Sequence, residues 1–258
     1  MEISVTKSHL ISGSQTMPTH EQEIYKQLRT IDTPTITNVV ATYPKNPLCL
    51  GLYNPWTENW YTDASIRCMY PNMGPVVGHA VTCVFGLPDP NFSGRLSFMD
   101  VIDALDAMKK PTILIMQQKW PEHIMSKAAS AGEVMVTSMQ AVGCIGLISN
   151  GPSRDVDAVR RLDFQMLLSG ITAGHGEMGV HAVNVPVTVG GMDVAPGDMI
   201  HMDENGAVKF PPDRAEQILN NAKAMLTEEA ELLTKLRQAK SAADVRKANG
   251  QYGNQDKK

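Results

Sequence analysis

The sequence predicts an α/β fold, with strands and helices alternating along the chain, on three observations. Short, β-branched apolar runs at 76–85, 112–116 and 144–148 have the length and composition of buried strands. Segments with helical spacing, 98–108 and 132–142, lie between them. Pro111 and Gly143 stand where each helix has to stop before the next strand starts. Strand–helix–strand alternation of this kind builds a sheet covered by helices.

In chain order, residues 21–29 read as a short helix, and Asp32, Thr33, Pro34 and Thr35 restart a second one with Ile36, Val39 and Val40 on one face. Residues 43–75 are irregular and rich in Pro, Asn and aromatics, with Trp56 and Trp60 among them. After the three strands and two helices already named, 183–189 is a further strand. The turn residues Pro196, Gly197 and Asp198, then Asp203, Glu204, Asn205 and Gly206, bracket 199–202 as part of a β-hairpin. Beyond Asp213, the apolar positions Ala215, Ile218, Leu219, Ala222, Met225 and Leu226 have helical period. Asp213 with Glu216 predicts a capping box at the start of this C-terminal amphipathic helix. Residues 1–20 and 237–258 read as tails around a single domain spanning 21–236.

Composition limits the function classes. With 43% hydrophobic residues the chain can bury a sizeable core, and a net charge of −4 gives no global basic field for nucleic acid. Four scattered cysteines, Cys49, Cys68, Cys83 and Cys144, show neither C-x-x-C nor zinc-like spacing, so free thiols are expected. The first residues lack the apolar run of a signal peptide, and no stretch approaches a membrane span. The expectation is a cytoplasmic protein without membrane or nucleic-acid partners.

The residues that carry chemistry are Glu133, at the start of a helix, and Arg154 with Asp155, after the following strand. A helix and the strand after it bring the helix start and the strand end to one edge of a sheet, so two carboxylates and a guanidinium can converge there. A hard cation such as Mg²⁺ takes few carboxylates and keeps several waters. Arg154 beside it would stabilise the negative charge of an enolate. The amides of Val134 and Met135, at a helix N-terminus, would hold a substrate carboxylate. Alone, the adjacent Arg–Asp pair reads equally well as a salt-bridged cap on a loop.

These motifs resemble the RraA-like family, which includes the regulator of ribonuclease E activity A and the 4-hydroxy-4-methyl-2-oxoglutarate aldolases. The family's aldolases carry an acidic residue, twenty intervening residues and then Arg-Asp, as do Glu133, residues 134–153 and Arg154 with Asp155. The surrounding run fits as well: Gly132, Gly143, Gly146, Asn150 and Gly151, then Asn184 to Val187, Gly190, Gly191, Pro196 to Asp198, Asp203 and Gly206, with Gly78 to Thr82 upstream. The similarity covers roughly residues 24–230.

The resemblance implies a three-layer α/β/β swivelling domain, assembled as a homotrimer or a pair of trimers. It also implies a class II pyruvate aldolase: a Mg²⁺- or Mn²⁺-dependent lyase acting on a small 2-oxo acid, with oxaloacetate decarboxylation as a companion activity. Asp155 would bind the metal, Glu133 would hold a metal-bound water, and Arg154 would contact the substrate. The alternative, also drawn from the family, is a non-catalytic regulator that binds a nuclease or another protein.

Three features depart from the family pattern: Asn38 and Val39 in the early helix, the aromatic segment 53–61, and the loop 174–181. His175, Glu177 and His181 in that loop form either a second acid–base or metal cluster or a polar surface. Tyr53, Trp56, Trp60 and Tyr61 either stack on a substrate or bury at an interface. No glycine-rich nucleotide loop is present, which sets aside a methyltransferase.

Overall fold

The computed structural model describes residues 19–250 except 44, 90 and 92–94, so most of the expected N-terminal tail and the end of the C-terminal one lie outside the described residues. Helix α1 (His20–Leu28) starts on a capping box in which Thr19 and Gln22 exchange bonds. Helix α2 (Thr33–Val40) starts on Asp32, whose side chain accepts from the Thr35 amide at 3.0 Å, with Pro34 in its first turn.

Strand β1 (Arg67–Cys68) leads to the long β2 (Val76–Gly86), every residue of which is buried. The chain continues through α3 (Phe98–Ala107), β3 (Thr112–Lys119), α4 (Glu122–Met125), α5 (Glu133–Ala141) and β4 (Cys144–Ser149). After these come α6 (Val156–Arg160), β5 (Gln165–Leu168), β6 (Gly179–Val183), β7 (Val187–Val189) and β8 (Met192–Val194). The hairpin β9 (Met199–Asp203) and β10 (Gly206–Phe210) precedes α7 (Ala215–Gln238) and the short α8 (Ala242–Ala248).

The main sheet runs β1-β5-β4-β3-β2-β9-β10. Strands β2 to β5 are parallel, joined by the α3, α5 and α6 crossovers, which is the α/β pattern the alternation predicted. One edge of β2 is shared: β9 pairs with Val76–His79 and β6 with Cys83–Gly86, both antiparallel.

Because successive side chains of a strand face opposite ways, β3 sends Leu114 and Met116 into a core under the α3 and α5 helices and Ile113 and Ile115 into a second core. That second core is closed by the separate β7–β8 hairpin, whose Val187, Val189, Met192 and Val194 all point into it. Helices, sheet and hairpin therefore form three layers, α/β/β. A third core packs α1, α2 and α7 against the β9–β10 hairpin, so the C-terminal amphipathic helix is integral to the fold.

Several expectations change in detail. The strand expected over 183–189 is two strands, because Asn184 adopts a left-handed backbone (φ 53°) that ends β6 before β7 begins. The loop expected up to residue 181 is shortened by β6, and β3 runs three residues beyond 116. The capping box of Asp213 and Glu216 does not form: Pro212–Arg214 is a 3₁₀ turn, so Asp213 lies inside that turn and Arg214 takes the cap position without a side-chain bond. Among the described residues no helix is long and apolar enough to cross a membrane.

Candidate functional site

The carboxyl ends of the parallel strands carry the site. Near the end of β3, Gln118 is tied to the end of β4: its amide donates to Asn150 Oδ1 at 2.6 Å, and its side chain donates to Ser149 Oγ at 3.1 Å. Asn150 returns a bond to the Gln118 carbonyl at 3.0 Å. Gly151 follows at a point where a Cβ would lie 2.1 Å from the Gln118 side chain, so any larger residue would push Gln118 from its place.

The next residues join the segment before α5. Ser130 donates from its amide (2.7 Å) and hydroxyl (2.9 Å) to the Pro152 carbonyl, the Ser153 hydroxyl donates to the Ala131 carbonyl, and the Arg154 amide donates to the same carbonyl at 3.3 Å. This lacing places Arg154 and Asp155 against the N-terminus of α5.

At that junction Asp155 accepts the Glu133 amide at 3.1 Å on Oδ2, and Arg154 Nε lies 3.7 Å from the same oxygen. Gly132 makes the approach possible, since a Cβ there would sit 2.4 Å from the Asp155 carboxylate. Asp155 is held left-handed (φ 58°, ψ 39°), a conformation costing roughly 1 kcal/mol in a residue with a Cβ. A half-exposed ion pair at 3.7 Å is worth less than about 1 kcal/mol, so the pair does not explain the strain. The bond that the Asp155 carboxylate accepts from the Glu133 amide helps to hold this conformation, which Asp163 and Asn184 also adopt.

A cavity of about 220 Å³ opens beside the pair, lined by Gly132, Val134, Met135, Arg154, Asp155 and His175. The Glu133 amide is taken by Asp155. The Val134 and Met135 amides follow in the first turn of α5, where no intrahelical carbonyl can reach them.

The sequence-predicted residues are thus brought together, with one distinction. Arg154, Asp155, Val134 and Met135 line the cavity, whereas Glu133 is exposed, is not among the lining residues, and touches the site through its backbone. Asp155 and Glu133 offer at most two carboxylates, and no group of three or more His, Cys, Asp or Glu suited to a metal exists among the described residues. That donor set fits a hard cation that keeps most of its water, such as Mg²⁺, and does not fit zinc.

The 174–181 loop does not form one cluster. His175 lines the cavity with its Nδ1 3.0 Å from the Gly176 carbonyl, Glu177 faces a neighbouring cavity, and His181 lies in β6 with Nε2 2.8 Å from the Leu87 carbonyl. The aromatic segment divides too. Trp60 is buried and stacked on Tyr53 (5.7 Å, 22°) and edge-on to Tyr61, while Trp56 is 86% exposed. All four cysteines are free, and burial pushes every thiol upward, so none supplies a thiolate. Sequence reading missed Ser130 and Gln118 as builders of the site. Both act through partners more than twenty residues away, and no local pattern announces such bonds.

Comparison with known proteins adds a relationship to this geometry. The model of the RraA-like family, described as Aldolase/RraA, matches residues 54–209. A protein of Halalkalibacterium halodurans with the provisional name 4-hydroxy-4-methyl-2-oxoglutarate aldolase is 32% identical over 96 residues, which are 37% of this chain and 46% of that one. A relative of the same provisional name from Hahella chejuensis is 27% identical over 131 residues, 47% of this chain and 80% of its own. The chain thus spans about half the length of the first of these relatives.

Among solved structures, an uncharacterized protein from Pseudomonas syringae pv. tomato superposes with TM-score 0.62 at 18% identity, covering 87% of this chain and 97% of that one. Streptomyces coelicolor RraAS2, described as an unusual member of the RNase ES inhibitor RraA protein family, gives 0.57 at 20% identity, covering 85% and 98%. These two likenesses show a shared fold.

Proposed function

The chain belongs to the RraA-like family, and on that premise we propose that it is a divalent-metal-dependent lyase that cleaves a 4-hydroxy-2-oxo acid to pyruvate and a second carbonyl compound. The observation that carries this reading is Arg154 and Asp155 side by side and half-exposed, lining a cavity capped by the first turn of α5. The provisional aldolase names of the relatives support it.

Each residue has a task in that chemistry. The Val134 and Met135 amides take the substrate carboxylate, where unpaired N–H groups and the helix dipole favour an anion. Arg154 stands beside the 2-oxo oxygen. As the bond between C3 and C4 breaks, the 4-hydroxyl gives its proton to a solvent water acting as base and the C3–C4 electron pair moves into a pyruvate enolate, whose oxygen Arg154 stabilises. Protonation at C3 completes pyruvate. Asp155, with Glu133 in support, would hold Mg²⁺ or Mn²⁺, and the ion supplies Lewis-acid stabilisation of the same developing charge. Loss of CO₂ from oxaloacetate passes through the same enolate, so decarboxylation accompanies the aldol cleavage.

The test is pyruvate release from 4-hydroxy-4-methyl-2-oxoglutarate and from oxaloacetate, with and without EDTA. Release that needs the metal is expected, and its absence with both compounds overturns the reading. On the family's pattern the protein also assembles as a trimer or a pair of trimers, which sedimentation checks. A second reading, a regulator that binds a protein partner, follows from the likeness to the Streptomyces protein of the RNase ES inhibitor family. It leaves the cavity beside Arg154 and Asp155 without a task, and a stoichiometric partner captured by a catalytically inert protein would favour it.

A further inference from the structure

We infer that the site extends into an apolar annex and that its substrates are 4-hydroxy-2-oxo acids bearing a neutral hydrophobic group, not a second carboxylate. This rests on the lyase reading above and names the substrate class of that same site.

A second cavity, of about 600 Å³, adjoins the first and shares Met135 and Met178 with it. Its walls are apolar. Phe85 and Val180 belong to the buried core under the α3 and α5 helices, and Leu96, Phe98, Met135 and Met178 pack on that core from outside. Walls anchored in a close-packed core keep their shape. The polar lining is sparse: Ser97 is committed as the cap of α3, its hydroxyl accepting from the Met99 amide and donating to Asp100. Among the described residues, the annex's one charged lining residue is Glu177.

Charge then decides between substrates. Across the two cavities Arg154 is the one lysine or arginine among the described lining residues, and it is engaged at the 2-oxo end. Within this chain's described lining, a substrate's second carboxylate would meet no lysine or arginine in the annex, only apolar walls and a carboxylate of like charge. Each of these disfavours it. A phenyl or branched alkyl group entering the same space leaves water for apolar surface and loses no hydrogen bond.

The experiment measures binding to the full chain with Mg²⁺ by calorimetry, using phenylpyruvate and 2-oxoglutarate as probes. Phenylpyruvate is expected to bind at least about tenfold more tightly, the factor that about 1.4 kcal/mol of apolar transfer supplies. Glu177→Lys, at an exposed position, and Met178→Lys, inside the annex, are each expected to narrow or reverse the ratio by supplying the missing cation. Equal affinities, a preference for 2-oxoglutarate, or no binding of phenylpyruvate overturns the inference.

Cleavage assays on the pyruvate adducts of benzaldehyde and of glyoxylate separate the two claims. A preference for phenylpyruvate with neither adduct cleaved sinks the lyase reading and leaves the annex. Metal-dependent pyruvate release favouring the glyoxylate adduct keeps the lyase and removes the annex.

Discussion

Two aspartates of this molecule do the same local job in opposite settings. Asp203 accepts the amide of Thr33 at the first residue of α2, at 2.7 Å, and Asp155 accepts the amide of Glu133 at the first residue of α5, at 3.1 Å. Asp203 is 3% exposed, and its other oxygen takes both the backbone and the side-chain N–H of Asn205. Beside it, His201 bridges the Thr33 hydroxyl (2.9 Å) and the Leu28 carbonyl (3.1 Å). Every polar group in that knot has a protein partner.

The Asp155 side chain is 40% exposed, its backbone is strained, and its neighbour Arg154 is 3.7 Å away, loosely paired and open to a cavity. The contrast separates a carboxylate that holds the fold together from one that, on the proposed function, is kept available to a ligand. Satisfied partners, more than charge or position at a helix start, distinguish the two.

The largest way to break this comparison is at Arg154. Arg154→Ala is expected to lower pyruvate release by about 10²–10³-fold while leaving the melting temperature nearly unchanged, because a half-exposed pair stabilises little. Near-normal turnover, or a large loss of stability, would cancel the distinction. Asp203→Ala should do the reverse. It strands the Thr33 amide in the interior, for a loss of about 2–3 kcal/mol in denaturant unfolding, with per-molecule activity retained wherever the protein is folded.

The histidines of the buried region give the next effect. Burial holds His201 below its ordinary value, against the opposing pull of the Leu28 carbonyl and Asp203, and burial likewise lowers His79. The unfolded chain therefore takes up protons near about pH 6.5, before the folded one does. Stability is fully present above that pH and falls as pH drops from about 6.5 toward the carboxylate range, by up to about 1.4 kcal/mol per pH unit for each histidine. Unfolding midpoints on either side of that value, at about pH 7.5 and about pH 5.5, check the sign; a flat profile would place these imidazoles in contact with water.

The smallest effect separates the two tryptophans. Trp56→Ala should change stability by less than about 0.5 kcal/mol, whereas Trp60, 1% exposed and stacked on Tyr53, is a core residue whose loss unfolding would register clearly.

Local chemistry explains which parts were legible in the sequence. Asp32 and Pro34 announce α2 because a cap bond and a fixed φ act within three residues. Asp213 misled because the same cap signal fits an extra 3₁₀ turn, and the choice between them rests with the packing of α7. The run 183–189 reads as one strand until Asn184 takes a backbone conformation that apolar patterning does not encode. At the site, the spacing of Glu133 from Arg154 and Asp155 placed them at one edge of the sheet. The lacing by Ser130, Ser153 and Gln118, and the strain at Asp155, belong to tertiary contacts and stayed hidden.

The shared edge of β2 has a consequence for how the molecule comes apart. Along its eleven residues, Val77 serves the core of α1, α2 and α7, Val81, Cys83 and Phe85 serve the core under α3 and α5, and Val76, Ala80 and Val84 serve the core closed by the β7–β8 hairpin. A single strand is thus common to all three, and neither β9 nor β6 can leave its edge without exposing it. The three cores are therefore expected to unfold as one: amides along β2 should be the last to exchange with solvent, and they should exchange together.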